Sequence, residues 1–390
     1  MILAHLIGEQ TLPNLLATLA LRPSRVVHIT SDPERFKVPI RNLERALSIA
    51  GHKTVTTTLD LHAPDPTPTD VARALAALSS EWRPHIINLT GGTKLMSIGS
   101  KVWADENSIP SLYVDTAARS FVSVGKIPLP DLDPLPLIAN RLSLEVILAA
   151  HGVPTDKLRA APPSPAALTF GVEAARAWEN DQACASWLKL LRNQWLLPND
   201  SPNPEAYLRG VAISPAGDSL AQAAVQAKWA KIDTGGCFLP VLPIGISGDQ
   251  MKRSRFIADL LQNLAGGWFE LYLAGLMIES PHFHDVRWGV ESPDRPDLAL
   301  GENDVVALDR RSLSPVFVSC KSSSSFEKPL EHIFSLRQRA THFGGTHAQA
   351  VLCIARLHFP DQEKMLSAYC RVAGVKLLIG TLQFNIWLKN

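Results

Sequence analysis

The chain has 390 residues, of which 46% are hydrophobic and 19% charged, and its formal net charge is +1. At about 150 residues per domain, that length suggests two or three domains with sizeable cores. The near-neutral charge excludes a globally basic nucleic-acid coat and an acidic tail protein, and 29 prolines are too few for a collagen-like chain. The first 125 or so residues alternate strand and helix. Residues 1–8 read as a short apolar strand, 12–21 as a helix and 25–30 (RVVHIT) as a buried strand. A helix over 40–50 ends at Gly51, in a C-cap position. Strands at 54–59, 85–89 and 110–114 alternate with helices at 69–79, capped by Thr67 or Thr69, and at 93–106. This alternation predicts an α/β fold with a parallel sheet of Rossmann type.

Between the fourth strand and its helix lies Asn88-Leu-Thr90-Gly91-Gly92-Thr93-Lys94-Leu-Met96. Adjacent glycines allow close backbone approach, and successive free N–H groups at a helix N-terminus form an anion nest. Thr90 and Thr93 add hydroxyls and Lys94 adds positive charge. The spacing is neither GxGxxG nor GxxxxGK[ST], so the dinucleotide and Walker A loops are absent. The nest suits a phosphodiester. Gly8-Glu-Gln10-Thr11-Leu-Pro13-Asn14 ends the first strand and Thr30-Ser31 the second. Ligands of open α/β sheets sit at this edge. NLTGGTKLM resembles the signature loop of the CARF domain, the Rossmann-like sensor of type III CRISPR systems. GEQTLPN is similar to that family's first-strand loop. The resemblance covers residues 1–127. It implies a homodimer binding a cyclic oligoadenylate, usually cyclic tetra-adenylate, across its two-fold axis. Ligand contacts carry over to Gly91, Gly92, Thr93 and Lys94. Gln10, Thr11, Asn14, Thr30, Thr90 and Met96 complete the expected set.

Residues 128–136 (PLPDLDPLP) read as a linker, opening a connecting region of residues 128–250. Helices are expected at 142–151 and 178–197, with breaks at 198–204, 240–243 and 245–248. From 254 a long helix runs to about 277, followed by a strand over 286–291. A hairpin over 304–309 and 316–321, a helix over 330–342 and a strand over 349–355 complete an α+β half. Five scattered cysteines, Cys184, Cys237, Cys320, Cys353 and Cys370, form no CxxC pair, which fits a reducing cytoplasm. No basic leader precedes the first strand. No run of about 18 apolar residues is present, so no membrane span is expected.

The hairpin brings Asp304 to the start of one strand and Lys321 to the end of its neighbour. Ser319 and Lys321 share a face by the period of two, and Cys320 faces the other side. This pattern, over about residues 255–360 and within an expected domain of 251–390, resembles the PD-(D/E)xK restriction-endonuclease-like core. Specifically, it resembles the Can and Card group of CRISPR ancillary nucleases, which fuse it to CARF. The resemblance implies Mn²⁺ or Mg²⁺ held by Glu270 and Asp304 and by the Cys320 carbonyl. A metal-bound water then attacks a DNA or RNA phosphodiester, with Lys321 orienting it or neutralising charge. Glu302 gives an E-x-D pattern, with Asp294 and Asp297 as reserves and Ser322–Ser325 in support. The consensus carboxylate is Ser319 here, so a sensor with a decayed nuclease is the non-enzyme alternative. Arg337 and His342 match the R-x4-H spacing of metal-independent HEPN ribonucleases, a spacing that chance alone produces in this composition. A CARF half that cleaves its own ligand is a third reading. Arg310, Arg311, Lys321, Lys328, Arg337 and Arg339 are candidates for a basic groove, while Trp268 and Trp288 read as core.

Overall fold

The computed structural model describes the chain apart from residues 64, 117, 119, 134, 140, 156–158, 179–180, 198, 200, 204, 209, 214–217, 292–301, 323–327, 358 and 390. Asp294, Asp297 and Ser323–Ser325 therefore lie outside the described residues. The N-terminal half contains β1 (Ile2–Leu6), α1 (Leu12–Leu21), β2 (Arg25–Thr30), α2 (Pro33–Ile49), β3 (Val55–Asp60), α3 (Pro68–Ala76), β4 (Ile86–Asn88), α4 (Lys94–Glu106), β5 (Ser111–Asp115) and β6 (Ser120–Ser123). Their sheet has the order β3-β2-β1-β4-β5-β6, parallel except for β6. Order reverses at β1, so the loops after β1 and β4 open beside each other at the carboxyl edge. Both β1 and β4 are buried along their length, as apolar central strands require.

Local caps fix the helix starts. Asp32 accepts from the Arg35 N–H, and Thr67 forms a reciprocal capping box with Asp70. The second helix begins seven residues before the sequence reading places it. Pro39 sits inside α2. Arg35, whose carbonyl the Pro39 ring leaves without its helical donor, is exposed to solvent.

The connecting region holds α5 (Leu135–Ala139), α6 (Leu144–Ala150), β7 (Arg159–Ala161), α7 (Pro165–Ala177), α8 (Asp181–Trp195), β8 (Val211–Ala212), α9 (Asp218–Gln226), β9 (Ala230–Ile232) and β10 (Cys237–Pro240). Strands β8, β10 and β9 form a small antiparallel sheet. Its Phe238 packs between Trp187 and Trp195. The long helix expected from 254 is α10 (Gln250–Gln262), a π-turn over Asn263–Gly267, and α11 (Trp268–Glu279).

The chain ends with β11 (Phe283–Glu291), β12 (Asn303–Asp309), β13 (Ser314–Lys321), α12 (Pro329–Gly344), β14 (Gln349–Ile354), α13 (Pro360–Ala373), β15 (Lys376–Ile379) and α14 (Gly380–Lys389). The sheet order is β15-β14-β13-β12-β11-β7. Strand β7 thus ties the connecting region into this sheet. One apolar core also runs from Leu12, Leu15 and Leu16 of α1, through α6, to Phe317 of β13 and Ile333 of α12. Leu129 and Leu132, in the proline-rich segment, pack on that core. No helix among the described residues is long and apolar enough to cross a membrane.

Two candidate sites: an anion cradle and a carboxylate hairpin

The first site is built where β1 and β4 end. A Cβ on Gly91 would overlap the Leu6 carbonyl oxygen, so only glycine lets the two loops meet. Gly92 has φ +69°, in the left-handed region that glycine adopts without strain. Thr93 caps α4 through Oγ1, which accepts from the Met96 N–H at 3.2 Å. Gly92, Thr93 and Lys94 are exposed at the start of this 13-residue helix. Backbone N–H groups, the helix dipole and one lysine therefore converge on open solvent, an arrangement that holds an anion.

A buried polar network supports the cradle from below. Asn88 Nδ2 donates to Asn14 Oδ1 at 2.9 Å, and Asn88 Oδ1 accepts from the Thr90 N–H and hydroxyl. Asn14 Nδ2 donates to the Leu6 carbonyl at 3.2 Å. His5 Nε2 lies 2.7 Å from Thr18 Oγ1, which itself donates to the Asn14 carbonyl. His5 must then donate from Nε2 and accept from Asn88 Nδ2 at Nδ1, 3.3 Å away. Burial, then the nearby His28, keeps this imidazole well below the usual histidine range.

The expected ligand set divides accordingly. Gly91, Gly92, Thr93 and Lys94 come together at the surface, beside half-buried Gln10 and Thr90. The Thr90 hydroxyl accepts from the Val114 N–H at 2.7 Å. Thr11, Asn14, Thr30 and Met96 are buried. Thr11 Oγ1 donates to the Ala150 carbonyl at 2.7 Å, joining the loop after β1 to the end of α6. Thr30 Oγ1 accepts from the Asp32 N–H, and Met96 lies in the apolar core.

At the second site, Val305 stands opposite Val318, which puts Asp304 across from Ser319. Ser319 Oγ lies 3.1 Å from Asp304 Oδ2, and the Cys320 N–H donates to that same oxygen at 2.6 Å. Period-two alternation puts Lys321 on the face of Ser319. From α11, Glu270 approaches the hairpin, and its Oε2 accepts the Trp288 indole N–H at 2.9 Å. Burial, then the Asp304 charge, pushes the Glu270 carboxyl up to about 8. Burial and Asp304 also raise Glu302. Glu270, Asp304, Glu302 and Lys321 thus share one electrostatic neighbourhood. The Cys320 side chain is buried and its thiol is pushed well up, so it is no thiolate ligand.

No group of three His, Cys, Asp or Glu side chains among the described residues stands ready to enclose a metal ion. The donor chemistry still fits Mg²⁺ or Mn²⁺. Such hard ions are held by one or two carboxylates, with waters and substrate phosphate completing the shell. Glu270 and Asp304 are crowded carboxylates whose mutual repulsion a divalent cation relieves.

Sequence reading missed three contributors. Trp288 is half-buried and holds Glu270, whereas Trp268 is core and stacks on Trp178. His332 Nε2 lies 3.0 Å from Ser319 Oγ. Burial, then Lys321, lowers that imidazole to about 4. Arg339, on the same helix, is buried and feels the Asp304 charge. The available signal was the pair of polar residues at helical spacing beside the apolar positions Ile333 and Leu336.

The six basic residues do not assemble into one groove. Arg310 and Arg311 sit at the β12–β13 turn, about 20 Å along the strands from Lys321. Arg311 pairs with Asp309, and Lys328 pairs with Glu331. Arg337 Nη1 donates to the Ala348 carbonyl at 2.8 Å, closing the loop after α12, and the His342 ring meets Phe343 edge-on.

Residues 2–134 match the family model described as the Card1 CARF domain. This segment is similar to the Card1 CARF domain. Among solved structures, the fold is similar to protein VC1899 from Vibrio cholerae, at 14% identity and TM-score 0.69, covering 100% of this chain and 96% of that one. It is also similar to Can2 from Sulfobacillus thermosulfidooxidans in complex with cyclic tetra-adenylate. That match has 17% identity and TM-score 0.65, and covers 100% and 98% of the two chains. A type III CRISPR defence DNA nuclease activated by cyclic oligoadenylate aligns at 17% identity and TM-score 0.52. It covers 92% of this chain and 46% of that one. No curated protein matches the sequence. The cradle lies wholly within the matched segment, and the carboxylate hairpin lies outside it.

Proposed function

We propose that the chain is a metal-dependent nuclease switched on by a cyclic oligoadenylate, cyclic tetra-adenylate first, and acting as a homodimer on DNA or RNA. The observation that carries this reading is one chain holding both the CARF-like cradle and a hairpin around which Glu270, Asp304, Glu302 and Lys321 share one electrostatic neighbourhood. Its full-length likeness to Can2, solved with cyclic tetra-adenylate, supports the pairing.

In this reading, Gly91, Gly92 and Thr93 bind phosphates through backbone N–H groups, and Lys94 balances their charge. Thr11, Asn14, Thr30, Thr90 and Met96 hold the loops beneath. Helix α4 turns Leu95, Ile98 and Val102 outward, 43%, 52% and 47% exposed. This apolar stripe starts at the cradle and supports a dimer in which two cradles share one ring. The Thr11–Ala150 bond and the core shared by α1, α6 and α12 offer a rigid connection between ligand loop and nuclease sheet. Activation then requires the ligand to bind two arrangements of that connection unequally.

Glu270 and Asp304, with the Cys320 carbonyl, would hold the cation, which supplies Lewis acidity and a water of lowered pKa when bound. Lys321 faces the scissile phosphate and stabilises charge developing on its oxygens. Trp288 holds the Glu270 carboxylate in place. Ser319 instead of a carboxylate favours a second reading, a sensor without catalysis. Supercoiled plasmid and labelled RNA, with Mn²⁺ or Mg²⁺ and with or without cyclic tetra-adenylate, decide between them. Cleavage that needs ligand and is stopped by EDTA is expected. Ligand binding without cleavage of either polymer selects the sensor, and cleavage that survives EDTA points to Arg337 and His342.

A further inference from the structure

Three contacts fix how the Ser319 hydroxyl is used. Asp304 Oδ2 accepts the Cys320 N–H at 2.6 Å, so that oxygen already serves as an acceptor. Ser319 Oγ, 3.1 Å from it, must therefore donate. A hydroxyl has a single proton. His332 Nε2, 3.0 Å from the same Oγ, is then the donor in the remaining contact. This direction is the same for neutral imidazole and for imidazolium.

We infer that His332, acting through Ser319, is a positioning residue of the nuclease centre, and that the chain His332 Nε2–H to Ser319 Oγ–H to Asp304 Oδ2 takes the structural place of the missing carboxylate. The inference rests on the nuclease reading above. Two donors on Oδ2 fix the Asp304 carboxylate and leave Oδ1 for a cation. Glu270 is held in the same manner, by the Trp288 indole on Oε2 alone. Asp304 and Glu270 are thus each gripped at one oxygen by a neighbouring side chain. The gap at Ser319 is filled from α12, an element that the hairpin pattern does not include. Arg339, two turns beyond His332 on the inward face of α12, adds a buried positive charge to the surroundings of Asp304.

The test compares wild type with His332→Ala, His332→Gln, Ser319→Ala and Ser319→Glu. Mn²⁺ affinity is read from the electron paramagnetic resonance signal of free Mn²⁺. Cleavage is measured with Mn²⁺ and cyclic tetra-adenylate, and ligand affinity by calorimetry reports on folding. Losing an outer partner of a metal ligand typically costs about 10–100-fold in affinity or activity. His332→Ala and Ser319→Ala are expected to lose that much in Mn²⁺ affinity and kcat while binding cyclic tetra-adenylate normally. His332→Gln, whose Nε2 donates from a similar position, should recover most of the loss. Ser319→Glu should not exceed wild type, because its carboxylate abuts Asp304 and breaks the chain.

Mn²⁺ affinity and cleavage unchanged in His332→Ala overturn the inference, as does a gain of about 10-fold or more in Ser319→Glu. Should His332→Ala also lose the ligand, Ser319→Ala and His332→Gln carry the comparison. Wild-type protein that binds cyclic tetra-adenylate but neither binds Mn²⁺ nor cleaves overturns the nuclease reading and this inference with it. Loss confined to the variants upholds both.

Discussion

Glu270→Gln should stabilise the metal-free protein, and more so as pH rises. The glutamine keeps the size of the side chain and an oxygen for the Trp288 indole. Burial and the Asp304 charge lift the Glu270 carboxyl from 4.5 to about 8. Between those values the folded state binds more protons at this site than the unfolded state, so stability falls as pH rises through the window. With 1.36 kcal/mol per unit, the Glu270 contribution between pH 5 and pH 7 is about 2–3 kcal/mol against folding. Glutamine removes the titration and the loss. Scanning calorimetry in EDTA should therefore show the Tm gap between variant and wild type widening by roughly 2–4 °C from pH 5 to pH 7. A gap that stays constant, or one that narrows, would refute the crowding of Glu270 with Asp304. Adding Mn²⁺ at pH 7 should narrow it, because the cation binds and stabilises only the ionised wild-type site.

Gly91→Ala places a methyl group on the Leu6 carbonyl, and calorimetry should show cyclic tetra-adenylate binding lost or weakened at least about 100-fold, of the order an unrelieved backbone clash costs. Normal affinity would mean that the loops tolerate separation and the cradle is wrong. Lys321→Ala and Asp304→Ala should each lower cleavage by about 100-fold or more, in the range for removing one electrostatic stabiliser, with ligand affinity preserved. Retained cleavage in both would remove the hairpin from the chemistry. Ile98→Glu puts a charge in the middle of the exposed α4 stripe, and sedimentation should report a monomer, against the dimer expected for wild type. Mn²⁺ affinity should climb by up to about tenfold per pH unit below pH 8, because Glu270 must lose its proton to bind metal. A flat profile over pH 6–8 would separate Glu270 from the metal.

What could be read from the residues depended on whether one short segment contained the cause. The strand over Arg25–Thr30 and the helix over Leu12–Leu21 agree with the sequence reading residue for residue, because buried apolar runs between turn signals are local patterns. The Gly91–Gly92 turn was legible for the same reason. Near it, Thr11, Asn14, Thr30 and Met96 have buried side chains, and no spacing along the chain reports that burial.

Across the hairpin the difficulty is reversed. Asp304, Ser319 and Lys321 could be paired from the period of two, since register carries side-chain direction with it. His332 and Trp288 could not. They reach Ser319 and Glu270 from a helix packed on the sheet and from the strand paired with β12, neither of which the hairpin pattern includes. A sequence pattern that demands a carboxylate at 319 therefore scores this site as damaged. The folded chain meets the same physical need, a fixed Asp304, with a hydroxyl and an imidazole drawn from two elements. The polar residue inside an otherwise apolar helical face is the signal to follow in such a case, because burying an imidazole without a partner is costly enough that its partner is worth locating.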